Sequence, residues 1–98
     1  MSRMNVYEVR FRARVTDDLA EDAAGRLCAA LEGMPGISRA DGASLDHTTG
    51  TVRGEFHVEV ARGMAAAARD SSRLAKEALK AAGMGDARLV ELFIALRQ

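Results

Sequence analysis

Between Val6 and Val15 the chain alternates with a period of two. Tyr7, Val9, Phe11, Ala13 and Val15 are apolar, and Glu8, Arg10, Arg12 and Arg14 fall between them. That period predicts a strand with one buried face. The spacing then becomes helical, with Leu19, Ala23, Leu27, Ala30 and Leu31 on one stripe. Thr16, Asp17 or Asp18 is placed to cap this helix, and Asp18 with Glu21 has the spacing of a capping box. Gly33 and the Pro35-Gly36 pair end it. Ile37 to Asp46 reads as a weaker strand with Gly42 at a bulge. A short HTTG connection follows, in which Gly50 suits a left-handed turn position. From Thr51 to Ala61 the alternation returns: Val52, Phe56, Val58 and Val60 on one side, Arg53, Glu55, His57 and Glu59 on the other. Met64 to Ala82 is a second helix, its core stripe formed by Ala67, Ser71, Leu74, Ala75, Ala78 and Leu79. GMGD breaks it, and ARLVELFIALR closes the chain as a last strand.

The predicted order is β-α-β-β-α-β across residues 1–98 as a single α+β domain, without repeats or linkers. This is the ferredoxin-like arrangement: a four-stranded antiparallel sheet with both helices on one face. Right-handed crossovers place the first and third strands side by side at its centre.

Composition narrows the function classes. Lys plus Arg and Asp plus Glu each number 14, so the formal net charge is zero. The positive excess that drives bulk binding to nucleic acid or anionic membranes is therefore missing. Cys28 is the only cysteine, which excludes an internal disulfide and a multi-cysteine metal site. No apolar run approaches the roughly 20 residues needed to span a bilayer, and the start has no apolar signal core, so a cytoplasmic protein is expected. Aromatics are limited to Tyr7, Phe11, Phe56 and Phe93, little wall for a flat organic ligand.

The segment LEGMPGISRADGASLDHTTGTVRGEFHVEVARG with AKEALKAAGM, residues 31–84, resembles heavy-metal-associated domains of the copper-chaperone type. The resemblance implies the same fold. That family's metal site is a Cys-x-x-Cys pair in the loop after the first strand, since soft metal ions take soft sulfur ligands. This chain has RVTDDLAED there, so metal transfer does not carry over and no cofactor is implied. Acylphosphatase-like enzymes and amino-acid-sensing ACT-like domains share the topology, but their loop glycines are missing here as well.

The stretch RGEFHVEV begins like an RNA-reading strand. Such strands expose rings on which bases stack, whereas this one buries Phe56 and turns Glu55, His57 and Glu59 outward, so nucleic acid is not the expected partner. His57 reads as a solvated strand histidine paired with arginines across the sheet, His47 as a turn residue and Cys28 as a small buried filler. The acidic run Asp17, Asp18, Glu21 and Asp22 is explained by the helix N-terminus it marks. Arg10, Arg12 and Arg14 share one face, where an anionic ligand or the carboxylates of Glu55 and Glu59 would meet them. In the last strand, Val90, Leu92, Ile94 and Leu96 are expected toward the helices, with Leu89, Phe93 and Ala95 on the open face.

Apolar residues left on an outermost strand need a cover, and a second copy is the commonest one. The expected function is a small non-enzymatic interaction module, a homodimer through its sheet. Its candidate contact residues are Arg10, Arg12, Arg14, Glu55, His57, Leu89 and Phe93, with no catalytic or metal-binding residue. A small dimeric α/β-barrel enzyme resembling the antibiotic-biosynthesis monooxygenases is the alternative from another class, requiring a pocket around Tyr7 and Phe11. An RNA-binding domain is the weaker alternative.

Overall fold

A computed structural model describes residues 4–16, 20–61 and 63–97. Its elements are β1 (Asn5–Arg14), α1 (Ala23–Glu32), β2 (Ile37–Asp46), β3 (Thr51–Val60), α2 (Met64–Ala81) and β4 (Arg88–Arg97). The sheet is antiparallel in the order β2-β3-β1-β4, with the first and third strands central as the crossover rule requires. This is the ferredoxin-like fold. The expected caps Asp17 and Asp18, and Leu19, lie outside the described residues. The helix itself starts at Ala23 behind Asp22, whose side chain makes no capping bond and instead lies 3.5 Å from Arg26.

The buried stripes follow the 3.6-residue period. Ala23, Leu27 and Leu31 of α1, and Ala67, Ser71, Leu74, Ala75, Ala78 and Leu79 of α2, close over Tyr7, Val9, Phe11, Ala13, Val52, Phe56 and Val58. Many of these helix residues are alanine, which lets the helices lie close to the sheet. The Ser71 hydroxyl is fully buried and has no hydrogen-bond partner among the described residues. At the end of α2, Met84 N–H bonds Leu79 C=O at 2.8 Å and Gly83 N–H bonds Lys80 C=O at 3.1 Å. Gly83 has φ +84°. This is the Schellman arrangement, sealed by buried Met84 beside Leu79.

Three irregularities of the sheet change the reading of faces. In β4, Arg12 pairs with Glu91 but Ala13 pairs with Leu89, so Val90 is an extra, bulged residue. The bulge reverses the expected phase at the start of the strand. Leu89, expected on the open face, stands opposite buried Ala13 and packs on the core, while Val90, expected toward the helices, is 47% exposed. A one-residue insertion does this because side chains alternate strictly. In β2 the register slips twice, leaving Ser38 and Asp41 as extra residues, the second beside Gly42 at φ +145°. Leu96 pairs with Tyr7 on the helix side as expected, yet it remains 47% exposed.

Gly54, the glycine of RGEFHVEV, stands opposite Phe11. A Cβ built there would overlap the Phe11 ring. Phe11 in turn meets Phe56 edge-on, with ring centroids 6.0 Å apart. The glycine is there to seat an aromatic ring of the core. Gly54→Ala should destabilise the fold by about 1–3 kcal/mol through overpacking. Most of that loss should vanish in a Phe11→Ala background, as a double-mutant cycle in urea would measure; additive costs would mean that the two residues are not in conflict.

Candidate functional site

With α1 and α2 on one face, the other face of the sheet carries the charged side chains. The pairings lay it out as a grid running from β2 through β3 and β1 to β4. Asp46, Thr51, Arg14 and Arg88 form one row; Ser44, Arg53, Arg12 and Glu91 the next; Gly42, Glu55, Arg10 and Phe93 the third. Arg39, His57, Glu8 and Ala95 follow, and beyond them lie Glu59, Val6 and Arg97. The expected set Arg10, Arg12, Arg14, Glu55, His57 and Phe93 therefore shares this face, and Leu89 does not.

His57 departs most from expectation. It lies on the open face but is only 4% exposed, because neighbouring side chains roof it. The bulge at Asp41 brings a carboxylate oxygen to 2.9 Å from Nδ1. The Arg97 guanidinium reaches across β1 to within 2.9 Å of Nε2, and Glu8 lies 3.5 Å from Nε2 and 3.4 Å from Arg97. Arg39 holds the other oxygen of Asp41 at 2.9 Å. A guanidinium can only donate, so Nε2 accepts from Arg97 and the ring proton sits on Nδ1. The Asp41 contact is short but out of line with the Nδ1–H, so it is an electrostatic contact rather than an aligned hydrogen bond. The nearby Ser38 hydroxyl is turned away from the ring and donates to the His57 backbone carbonyl at 3.2 Å. The alternation predicts the face correctly but is blind to burial created by long side chains on adjacent strands and by a bulge.

The arginine stripe also finds partners other than those expected. Arg12 Nη2 pairs with Glu91 at 2.9 Å, and Arg10 lies over the Phe93 ring at 4.9 Å from its centroid. Glu55 stands opposite Arg10 without forming an ion pair within 4 Å among the described residues. Above Gly54 these side chains enclose a shallow cavity of ≈ 140 Å³, walled by Arg10, Arg12, Arg53, Glu55, Glu91 and Phe93. The Phe93 ring is 49% exposed on β4, while the open faces of β1 and β3 carry no Phe or Tyr ring and the His57 imidazole there is buried. Tyr7 and Phe11, around which a pocket between sheet and helices would form, are core residues at 3% and 2% exposure.

Other candidates fall apart in space. Cys28 is half-buried on α1, 3.7 Å from Glu32, rather than a filler of the core. Partial desolvation, then the Glu32 charge, pushes its thiol up from the ordinary range, away from the reactive thiolate. Thr16, in the loop after β1, donates to Asp86 at 2.6 Å. Among the described residues no three His, Cys, Asp or Glu side chains are grouped to hold a metal ion, and no helix is long and apolar enough to cross a membrane. In the hairpin, Asp46 Oδ1 accepts the N–H groups of Thr48 and Thr49 at 3.0 and 3.3 Å. Bonds from Thr49, side chain first and then backbone, hold its carboxyl below the usual range. Neither protein-family models nor curated protein sequences match this chain.

Two measurements check this electrostatic layout. Long-range ¹H–¹⁵N correlation spectra at neutral pH should find His57 as the Nδ1–H tautomer; a proton on Nε2 would break the inferred Arg97 bond. Asp46 should titrate below an unstructured aspartate, because its ionised form accepts the turn's N–H groups. Its contribution is present above the unfolded pKa and is lost as pH falls through the lower folded one. A carboxyl ¹³C midpoint at or above the unstructured value would contradict the hydrogen bonding.

Proposed function

We propose that this protein is a small interaction module that forms a homodimer by pairing β4 with β4 of a second copy. The observation that supports this best is the contrast between the two sheet edges. β2 is blunted by two bulges, a glycine and the charged residues Arg39 and Asp41, the usual devices against edge pairing. β4 past its single bulge reads ELFIALR, and Val90, Phe93 and Leu96 remain 47%, 49% and 47% exposed.

One antiparallel register makes that edge self-complementary. With Ile94 on the twofold axis, Phe93 faces Ala95 of the other copy, Leu92 faces Leu96, and Glu91 faces Arg97. Large meets small on the open face, like meets like on the helix face, and opposite charges meet at both ends. Shifting either copy by two residues takes Glu91 away from Arg97. Covering an apolar side chain of this size contributes roughly 1.5–3 kcal/mol, counted against about 4–15 kcal/mol for lost translational and rotational freedom. Several chains must therefore be covered together, and the symmetric pairing covers each of them twice.

Sedimentation equilibrium of wild type, Phe93→Glu and Leu96→Lys tests the reading. Wild type should be dimeric at high micromolar concentration and both variants folded monomers. Phe93 is on the open face and Leu96 on the helix face, so only edge pairing makes both necessary. A monomeric wild type ends the proposal, and a Leu96→Lys variant that stays dimeric moves the contact off this edge.

A further inference from the structure

We infer that the β2–β3 hairpin end of the open face is a binding site for a doubly charged phosphate group, free or carried by a small monoester. This does not rest on the pairing of β4. The observation is a concentration of cations in register. Arg12 stands directly opposite Arg53, and Arg14 directly opposite Arg88. Like charges placed opposite each other on adjacent strands destabilise a sheet. A sequence with equal numbers of acidic and basic residues nevertheless puts two such pairs side by side.

The acids at this end relieve the conflict only in part. Glu91 pairs with Arg12 at 2.9 Å but leaves Arg53 without a carboxylate, and Asp46 accepts the N–H groups of its own turn. Among the described residues Arg14, Arg53 and Arg88 have no carboxylate within 4 Å. Arg10 is steered over Phe93. Arg12 and Arg53 both line one cavity on the open face, which lies over the backbone at Gly54. At ≈ 140 Å³ it falls short of the about 300–1,000 Å³ of sites for drug-sized molecules. It suits a single headgroup.

A phosphate monoester brings about −1.5 to −2 charges and three acceptor oxygens. Guanidinium forks bind such oxygens in pairs, so one group bridging Arg12 and Arg53 would turn their repulsion into shared attraction. Glu55 is the lining carboxylate without an ion-pair partner, and it opposes the anion. The chemistry therefore gives two substitutions opposite signs. Arg53→Gln removes a ligand contact and also a like-charge pair, so it should weaken binding while leaving the empty protein at least as stable. Glu55→Gln should tighten binding.

The test titrates full-length protein with inorganic phosphate and, separately, phenyl phosphate. Ionic strength is held constant with chloride, and the Arg12 and Arg53 Nε–H resonances are followed. Saturable binding of one phosphate per chain is expected, about tenfold or more weaker in Arg53→Gln and stronger in Glu55→Gln. Either order of the two ligands supports the site. Tighter phenyl phosphate assigns it to a monoester whose apolar part rests by Phe93, and equal affinity assigns it to phosphate alone. Shifts no larger than chloride produces, or unchanged affinity in Arg53→Gln, overturn the inference. So does a single-stranded oligonucleotide that displaces phenyl phosphate, which would make the surface a tract for extended polyanions.

Discussion

Two helices, Ala23–Glu32 and Met64–Ala81, cover one face of a four-stranded sheet and leave the other without a layer. That constraint organises the molecule. Apart from Val6, the apolar residues of the central strands turn toward the helices, to near-complete burial in Tyr7, Val9, Phe11, Ala13, Val52, Phe56 and Val58. What remains for the open face is a lattice of charged side chains, which must satisfy one another or face water. Exposed ion pairs contribute little individually, about 0–1 kcal/mol, so this face adds specificity of arrangement more than stability.

The arrangement is polarised along the strands. Toward the β2–β3 hairpin Arg10, Arg12, Arg14, Arg53 and Arg88 outnumber Asp46, Glu55 and Glu91, whereas around His57 Glu8, Asp41 and Glu59 outnumber Arg39 and Arg97. A neutral total charge thus conceals a dipolar surface. His57 joins three strands through side chains alone: Asp41 from β2, Glu8 from β1 and Arg97 from β4. Its aromatic body is shielded by these polar groups, which is how a residue on a face without helices comes to be buried.

The same constraint explains why β4 is the exposed element. α1 packs chiefly on β2, while α2 is spread over β3, β1 and β4, so β4 is covered only in part. Leu92 and Ile94 are half-buried against the core, but Leu96 on the same side is not. The opposite edge meets the same difficulty with bulges and charge, so the two edges of one sheet solve one problem differently.

The sequence by itself determined the element order, their limits to within a few residues and the central pair of strands. Periods of two and 3.6 are local properties of backbone geometry, and short connections leave few topologies. It also placed Arg10, Arg12, Arg14, Glu55, His57 and Phe93 on one face, because alternation is strict within an unbroken strand. Tertiary structure alone decided the rest. The bulge at Val90 turned Leu89 inward, since an extra residue is defined only against the partner strand it fails to match. Partner choice was equally remote: Arg12 meets Glu91 and Arg97 meets His57 across long stretches of chain. The purpose of Gly54 was hidden for the same reason, for the ring that requires it belongs to another strand. Distances between strands, not the order of residues within them, set burial, pairing and charge balance on this face.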